Sequence, residues 1–289
     1  MSDKNRNPEP RPKGSSSYVE GLFGLDGEVA IVTGGAGVLP SAMARALARA
    51  GAKVALWGRG THHPVTDAAE QMAADLGIDP SRIAAVTVDT GEEESVLAAF
   101  KETAEKLGQP TILVNGVGGN TGKGSFVDID ITNFEQVLRL NLFAGLVVPM
   151  KVCAREWIAS GTKASVINLA SMSSYKPLSG VWAYDAAKAA VLNLTEGAAK
   201  EFAPHGIRVN AIAPGFFLGY QNKSLLVAND ETGELTDRGK SIISRTPLGR
   251  FGEMSEIEGA TLFLASPVAA KFVTGVTVPV DGGYLIDNI

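Results

Sequence analysis

The feature that most constrains this chain is a repeated alternation of short, wholly apolar runs with longer Ala-rich segments. Val29-Ala30-Ile31-Val32 is the first run, ended by a glycine cluster at Gly34, Gly35 and Gly37. A segment of Ala, Leu, Met and Arg from Ser41 to Ala50 follows and stops at Gly51. The rhythm then repeats, with strands predicted at Lys53–Trp57, Ile83–Val88, Thr111–Asn115, Ser165–Leu169, Arg208–Ile212 and Thr277–Val280. Helices are predicted near Asp67–Leu76, Glu93–Leu107, Phe134–Ile158, Ala183–Phe202 and Glu256–Leu264. A strand that is apolar on both faces has to be covered on both faces, and strands separated by helices pair in parallel. The expected fold is therefore α/β, a single doubly wound domain whose parallel sheet of about seven strands carries helices on both sides.

Composition narrows the classes of partner. With 289 residues, 45% hydrophobic and 20% charged, the chain can bury a large core without covalent staples. A formal net charge of -5 argues against nucleic acid or an anionic membrane as partner. The single cysteine, Cys153, excludes an intrachain disulfide framework; among apolar residues on a predicted helix it reads as packing. Residues 1–20 are rich in Pro, Asn, Ser and charge, which predicts a disordered or loosely packed arm ahead of a domain at 21–289. The arm lacks a signal peptide's apolar stretch, and no run reads as long enough to span a bilayer, so a cytoplasmic location is expected. The stretch from about 216 to 245 is polar, lacks strand patterning and follows a strand end. It reads as a mobile flap over a substrate or as a surface insertion.

Two local patterns carry chemistry. Thr33-Gly34-Gly35-Ala36-Gly37-Val38-Leu39-Pro40 joins the first strand to the first helix of the alternation. Glycines there let backbone approach a pyrophosphate, and a helix N-terminus favours its negative charge. Tyr184 and Lys188 lie four residues apart on a predicted helix, which puts them on one face. A phenol normally titrates near pH 10, and a neighbouring ammonium favours its ionised form. Ser171 falls just past a strand end, where the sites of parallel sheets form. Asn115 and its glycines end the preceding strand, and Asn141 sits inside a predicted helix, a poor place for asparagine unless its amide has a partner.

Taken together these residues resemble the short-chain dehydrogenase/reductase family, from roughly Leu22 to the C-terminus and in the family's order. The resemblance implies a Rossmann-type domain that binds NAD or NADP. It gives Thr33, Gly34, Gly35, Gly37 and Leu39 to the cofactor turn and Asp89 to the adenine. Asn115 and Gly116 belong to a motif bracing the sheet, Pro214 and Gly215 to the turn beside the nicotinamide, and Val280 to Gly283 to a C-terminal signature. Asn141, Ser171, Tyr184 and Lys188 match the catalytic tetrad. In that mechanism Tyr184 exchanges a proton with the substrate oxygen and Ser171 polarises it. Lys188 lowers the tyrosine pKa and binds the nicotinamide ribose, and Asn141 holds a water. Val38 and Pro40 depart from the family, which carries glycine at their positions.

NAD-specific members carry an acid at the end of the second strand, where this chain has Gly58 followed by Arg59. A guanidinium there suits a 2′-phosphate, so NADP is preferred over NAD. Within the family, residues 215–222 and 246–252 look most like mannonate (fructuronate) oxidoreductases. Lys123 or Lys223 could meet the carboxylate of such a sugar acid or polyol-type substrate. The alternatives are a 3-oxoacyl thioester reductase and a non-catalytic cofactor-binding protein. His62 and His63 read as a surface loop, and no metal site is expected. A homotetramer is the family's usual assembly.

Overall fold

The computed structural model describes residues 15–60, 64–178, 180–219, 223–229 and 231–287. Seven strands form one parallel sheet: β1 (Val29–Thr33), β2 (Lys53–Gly58), β3 (Ile83–Thr87), β4 (Ile112–Asn115), β5 (Ala164–Leu169), β6 (Ile207–Pro214) and, after a hairpin of β7 (Val227–Asn229) and β8 (Glu234–Leu235), β9 (Thr277–Val280). Their order across the sheet is β3-β2-β1-β4-β5-β6-β9. Around them run α1 (Ser15–Phe23), α2 (Val38–Arg49), α3 (Val65–Leu76), α4 (Glu93–Leu107), α5 (Ile131–Leu138), α6 (Val148–Ser160), α7 (Trp182–Phe202), α8 (Lys223–Leu226), α9 (Asp237–Ser244) and α10 (Glu258–Ala265).

Strand periodicity sends alternate residues to two separate cores. Val29 and Ile31 of β1 pack into a core with Trp57, Phe100, Trp157 and Val191. Ala30 and Val32 pack into the other with Met43, Leu47, Met72 and Leu264. Both buried indoles find acceptors, Trp57 Nε1 at Thr103 Oγ1 (2.9 Å) and Trp157 Nε1 at the Pro110 carbonyl (2.7 Å). Cys153 lies wholly inside the first core, and burial pushes its thiol well above the ordinary range, as packing rather than reactivity requires.

Three expectations change. The arm expected at 1–20 is helical from Ser15; residues before that lie outside the described residues. The flap region has regular structure that its polar sequence did not suggest: α8, the β7–β8 hairpin and α9 follow one another. Third, one segment, Ile131–Ser160, is long and apolar enough to cross a membrane by length and composition, although 61% of its most apolar window is buried inside the protein. Part of its apolar surface packs against α4 and β4.

That segment is not a regular helix. Arg139–Val147 is π-helical between α5 and α6. Asn141 Nδ2 donates to the Val137 carbonyl at 2.8 Å, the acceptor an α-helix would give to a backbone N–H. Pro149 removes a further donor just beyond, and Gly145 lies so near Val117 that a Cβ would sit 2.5 Å from its carbonyl oxygen. The widened turn therefore lets the helix pass close to the end of β4.

Candidate active site

A cavity of about 920 Å³ opens beyond the carboxyl ends of the strands, where the sheet order reverses between β1 and β4. Residues from separate parts of the chain line it together: Gly34, Gly37, Leu39, Arg59, Asp89, Gly116, Pro214 and Gly215, with Ser171, Tyr184 and Lys188. Four of the catalytic and cofactor candidates do not line it, and neither do Lys123 and Lys223. Thr33 is fully buried and accepts from Gly116 N at 3.0 Å, so it shapes the turn from behind. Gly35 is crowded against Leu56, where a Cβ would lie 2.9 Å from Cδ2. Asn115 donates to Asn168 Oδ1 at 2.9 Å and braces β4 against β5.

Asn141, the fourth, clamps a loop. Its Oδ1 accepts from Gly119 N at 3.0 Å and its Nδ2 donates to Gly119 O at 2.7 Å. These bonds fix the Asn141 side chain against the Gly119 backbone. Gly118 passes between Asn141 and the lysine, since a Cβ there would lie 2.7 Å from Asn141 Oδ1 and 3.6 Å from Lys188 Nζ.

The turn between β1 and α2 is built to receive an anion. Gly34 has φ +65, and a Cβ there would lie 3.2 Å from Gly116 O. Gly37 caps α2 without any side-chain hydrogen bond, which leaves the first helical N–H groups facing the cavity uncapped. The departures from glycine are accommodated by packing. Pro40 stands in the first turn, where a missing N–H costs no helical bond, and its ring fills the space over Gly116. Val38 touches the start of the flap region: a Cβ on Gly219 would lie 3.0 Å from Val38 Cγ1. At the end of β2, Val65 Cγ1 would be 2.8 Å from a Cβ on Gly58, so position 58 has no room for an acid. Arg59 is exposed at the cavity edge. Asp89 is held by Gly91 N, which donates to Oδ1 at 2.9 Å.

Ser171 caps the short 3₁₀ turn Met172–Ser174, and its Oγ accepts from Ser173 N at 3.1 Å. With one lone pair so occupied, the hydroxyl hydrogen is directed elsewhere. Lys188 is buried, donates to the Leu169 carbonyl at 2.6 Å and lies 5.7 Å from the centroid of the Tyr184 ring. Burial lowers the ammonium pKa to about 8. Burial also raises the Tyr184 phenol, partly offset by the Ser171 hydroxyl, with the Asp185 charge raising it further. Desolvation is the largest influence on the phenol, and the group that lowers it is the Ser171 hydroxyl. Among the described residues no group of three His, Cys, Asp or Glu could hold a metal; His62 and His63 lie outside them.

Comparison with known proteins follows the same lines. A family model described as enoyl-(acyl carrier protein) reductase matches residues 38–285. An oxidoreductase of Bacillus subtilis, UxuB, is 40% identical over 275 residues, covering 90% of this chain and 96% of its own. The chain belongs to the short-chain dehydrogenase/reductase family. As a member it is an NAD(P)-dependent oxidoreductase acting on CH–OH groups. Its fold is shared with a structure described as a D-mannonate oxidoreductase from Haemophilus influenza with bound NAD. That match has a TM-score of 0.82 and 34% identity, and covers 93% of this chain and 99% of the other. A gluconate 5-dehydrogenase from Burkholderia cenocepacia in complex with NADP and tartrate superposes with a TM-score of 0.80 and 32% identity, covering 92% and 98%.

Motif spacing pointed to some of the residues lining the cavity but not to others, such as Gln136, Leu140, Phe217 and Met254. It missed the π-helical turn, the Val38–Gly219 contact and the buried carboxylate of Asp185, all of which arise from long-range packing.

Proposed function

We propose that this chain interconverts a carbonyl and a secondary alcohol on a sugar acid or polyol of the mannonate/fructuronate type. The observation that carries the reading is the convergence of Ser171, Tyr184 and Lys188 on the cavity whose far end is the uncapped α2 N-terminus. A bound nicotinamide dinucleotide supplies the hydride. The residues fit such a group: Gly34, Gly37 and Leu39 with the α2 N-terminus would hold its pyrophosphate. Arg59 and Asp89 lie on the adenosine side, and Gly116, Pro214 and Gly215 on the nicotinamide side.

In reduction, Tyr184 donates its phenolic proton to the substrate oxygen as negative charge develops there. A phenol titrating near pH 10 carries its proton at neutral pH, so Tyr184 can act as an acid. Ser171 donates a hydrogen bond to the same oxygen, its own lone pair being fixed by Ser173 N. Lys188 stabilises the phenolate left behind. Asn141 holds the Gly118–Gly119 loop against this group. Lys123, whose stem packs on Gly180, is the candidate for a substrate carboxylate, with Lys223 as the second; neither is among the residues lining the cavity itself. Arg59, with no room for an acid at Gly58, favours NADP.

Turnover measured on sugar acids, polyols and 3-oxoacyl thioesters with each dinucleotide tests the reading. The expected result is activity on a hydroxylated acid with NADP, reduced about 10²- to 10⁴-fold in Tyr184→Phe with cofactor affinity retained. Activity confined to thioesters, or dinucleotide binding without turnover on any substrate, would overturn it.

A further inference from the structure

Asp185 follows Tyr184 in the chain and has no part in the chemistry above. It is 8% exposed, on the first turn of α7. A buried carboxylate is costly unless its oxygens are bonded. Oδ2 accepts from Leu178 N at 3.1 Å, which ties the loop leaving Ser171 back onto the helix. Oδ1 has no hydrogen-bond partner of good geometry among the described residues, and neither has the buried Ser173 Oγ. The two groups act on each other: burial pushes the Asp185 carboxyl up, while the Leu178 N–H and the Ser173 hydroxyl pull it back. Ser173 is also the residue whose N–H fixes Ser171 Oγ. A string of neighbours therefore runs from Asp185 through Ser173 to Ser171, while Tyr184 is joined to Asp185 through the backbone.

We propose that Asp185 is a positioning residue: its buried carboxylate fastens the loop bearing Ser171 to the helix bearing Tyr184 and so sets the separation of the two hydroxyls at the substrate oxygen. This rests on the roles given to Ser171 and Tyr184 in the proposed function. The two hydroxyls come from different elements, and backbone hydrogen bonds of β5 and α7 do not by themselves fix one against the other. Asp185→Ala removes the acceptor for Leu178 N. Asp185→Asn keeps an oxygen that accepts from Leu178 N.

The test uses the full chain, the sugar acid turned over best by the wild type, and the dissociation constant of the reduced dinucleotide read by its fluorescence. A misplacement of about 1 Å costs about 10²-fold, so Asp185→Ala is expected to lower kcat roughly 30- to 100-fold with cofactor affinity within about twofold. Asp185→Asn is expected to restore kcat to within about fivefold of wild type, and Ser173→Ala to lower it about fivefold. A kcat for Asp185→Ala within about threefold of wild type overturns the proposal, as does Asp185→Asn falling as far as Asp185→Ala. Should Asp185→Ala fail to fold, an unchanged kcat in Ser173→Ala overturns it on its own. Tyr184→Phe measured alongside separates the two readings. An active Tyr184→Phe refutes the site itself, whereas an inactive one beside a normal Asp185→Ala refutes only this inference.

Discussion

Lys188 shows how a single buried group links stability to function. Its ammonium is buried beside the Tyr184 ring, and burial lowers its pKa from 10.5 to about 8. The sign of the consequence follows from proton counting. Below about pH 8 both folded and unfolded chains carry the proton, and the folded state bears the full cost of burying the charge. Between about 8 and 10.5 the unfolded chain keeps a proton that the folded chain has released, so stability rises with pH. Over that window the gain amounts to about 3 kcal/mol. Lys188→Met has no such proton. Urea unfolding of both chains at several pH values from 7.5 to 10 should therefore show wild type gaining on the variant as pH rises. A difference independent of pH would mean that the lysine is not held in the dry state seen here.

At the scale of elements, the contact between Val38 and Gly219 joins the first turn of α2 to the chain entering α8. A methyl added at Gly219 would lie 3.0 Å from Val38 Cγ1, tighter than ordinary contact, so one side has to move. Gly219→Ala is expected to raise substrate KM several-fold, and Val38→Ala in the same chain to reverse most of that rise. A coupling of about 0.5–3 kcal/mol between the two changes is the size expected for residues in contact. Strictly additive effects on KM would show that the two elements do not meet in the working enzyme. This contact also marks where the sequence stops being readable. Apolar runs broken by glycine announced β1 to β6 and β9 because that pattern is local, and Tyr184 and Lys188 were legible because helical spacing is local. Val38 looked like a departure from pattern because its partner lies 181 positions away. The flap looked unstructured because its hairpin and α9 are short and pack on other elements rather than on their own periodicity. Asp185 was passed over for a similar reason: a charged residue on a helix reads as exposed, and only the return of the loop at Leu178 buries it.

The whole molecule explains why the cavity lies where it does. Six parallel crossovers and one reversal of order leave a crevice at the carboxyl ends of β1 and β4, and β5 and β6 bring Ser171 and Pro214 to its rim. No single element forms the site, so a ligand that fills it touches residues from Gly34 to Met254 and ties them together. Binding of that kind stabilises the folded state through mass action. At about 100 times its dissociation constant, a dinucleotide adds about 2.7 kcal/mol. For a chain of 289 residues this corresponds to a rise in Tm of roughly 5 °C. Thermal unfolding with NADP and with NAD at equal concentrations then ranks them, because the tighter ligand gives the larger rise. The Arg59 reading expects NADP to lead and Arg59→Ala to remove most of its lead while leaving the NAD shift in place. A larger rise with NAD in the wild type, or an NADP lead that survives loss of the guanidinium, would move the choice of cofactor away from the end of β2.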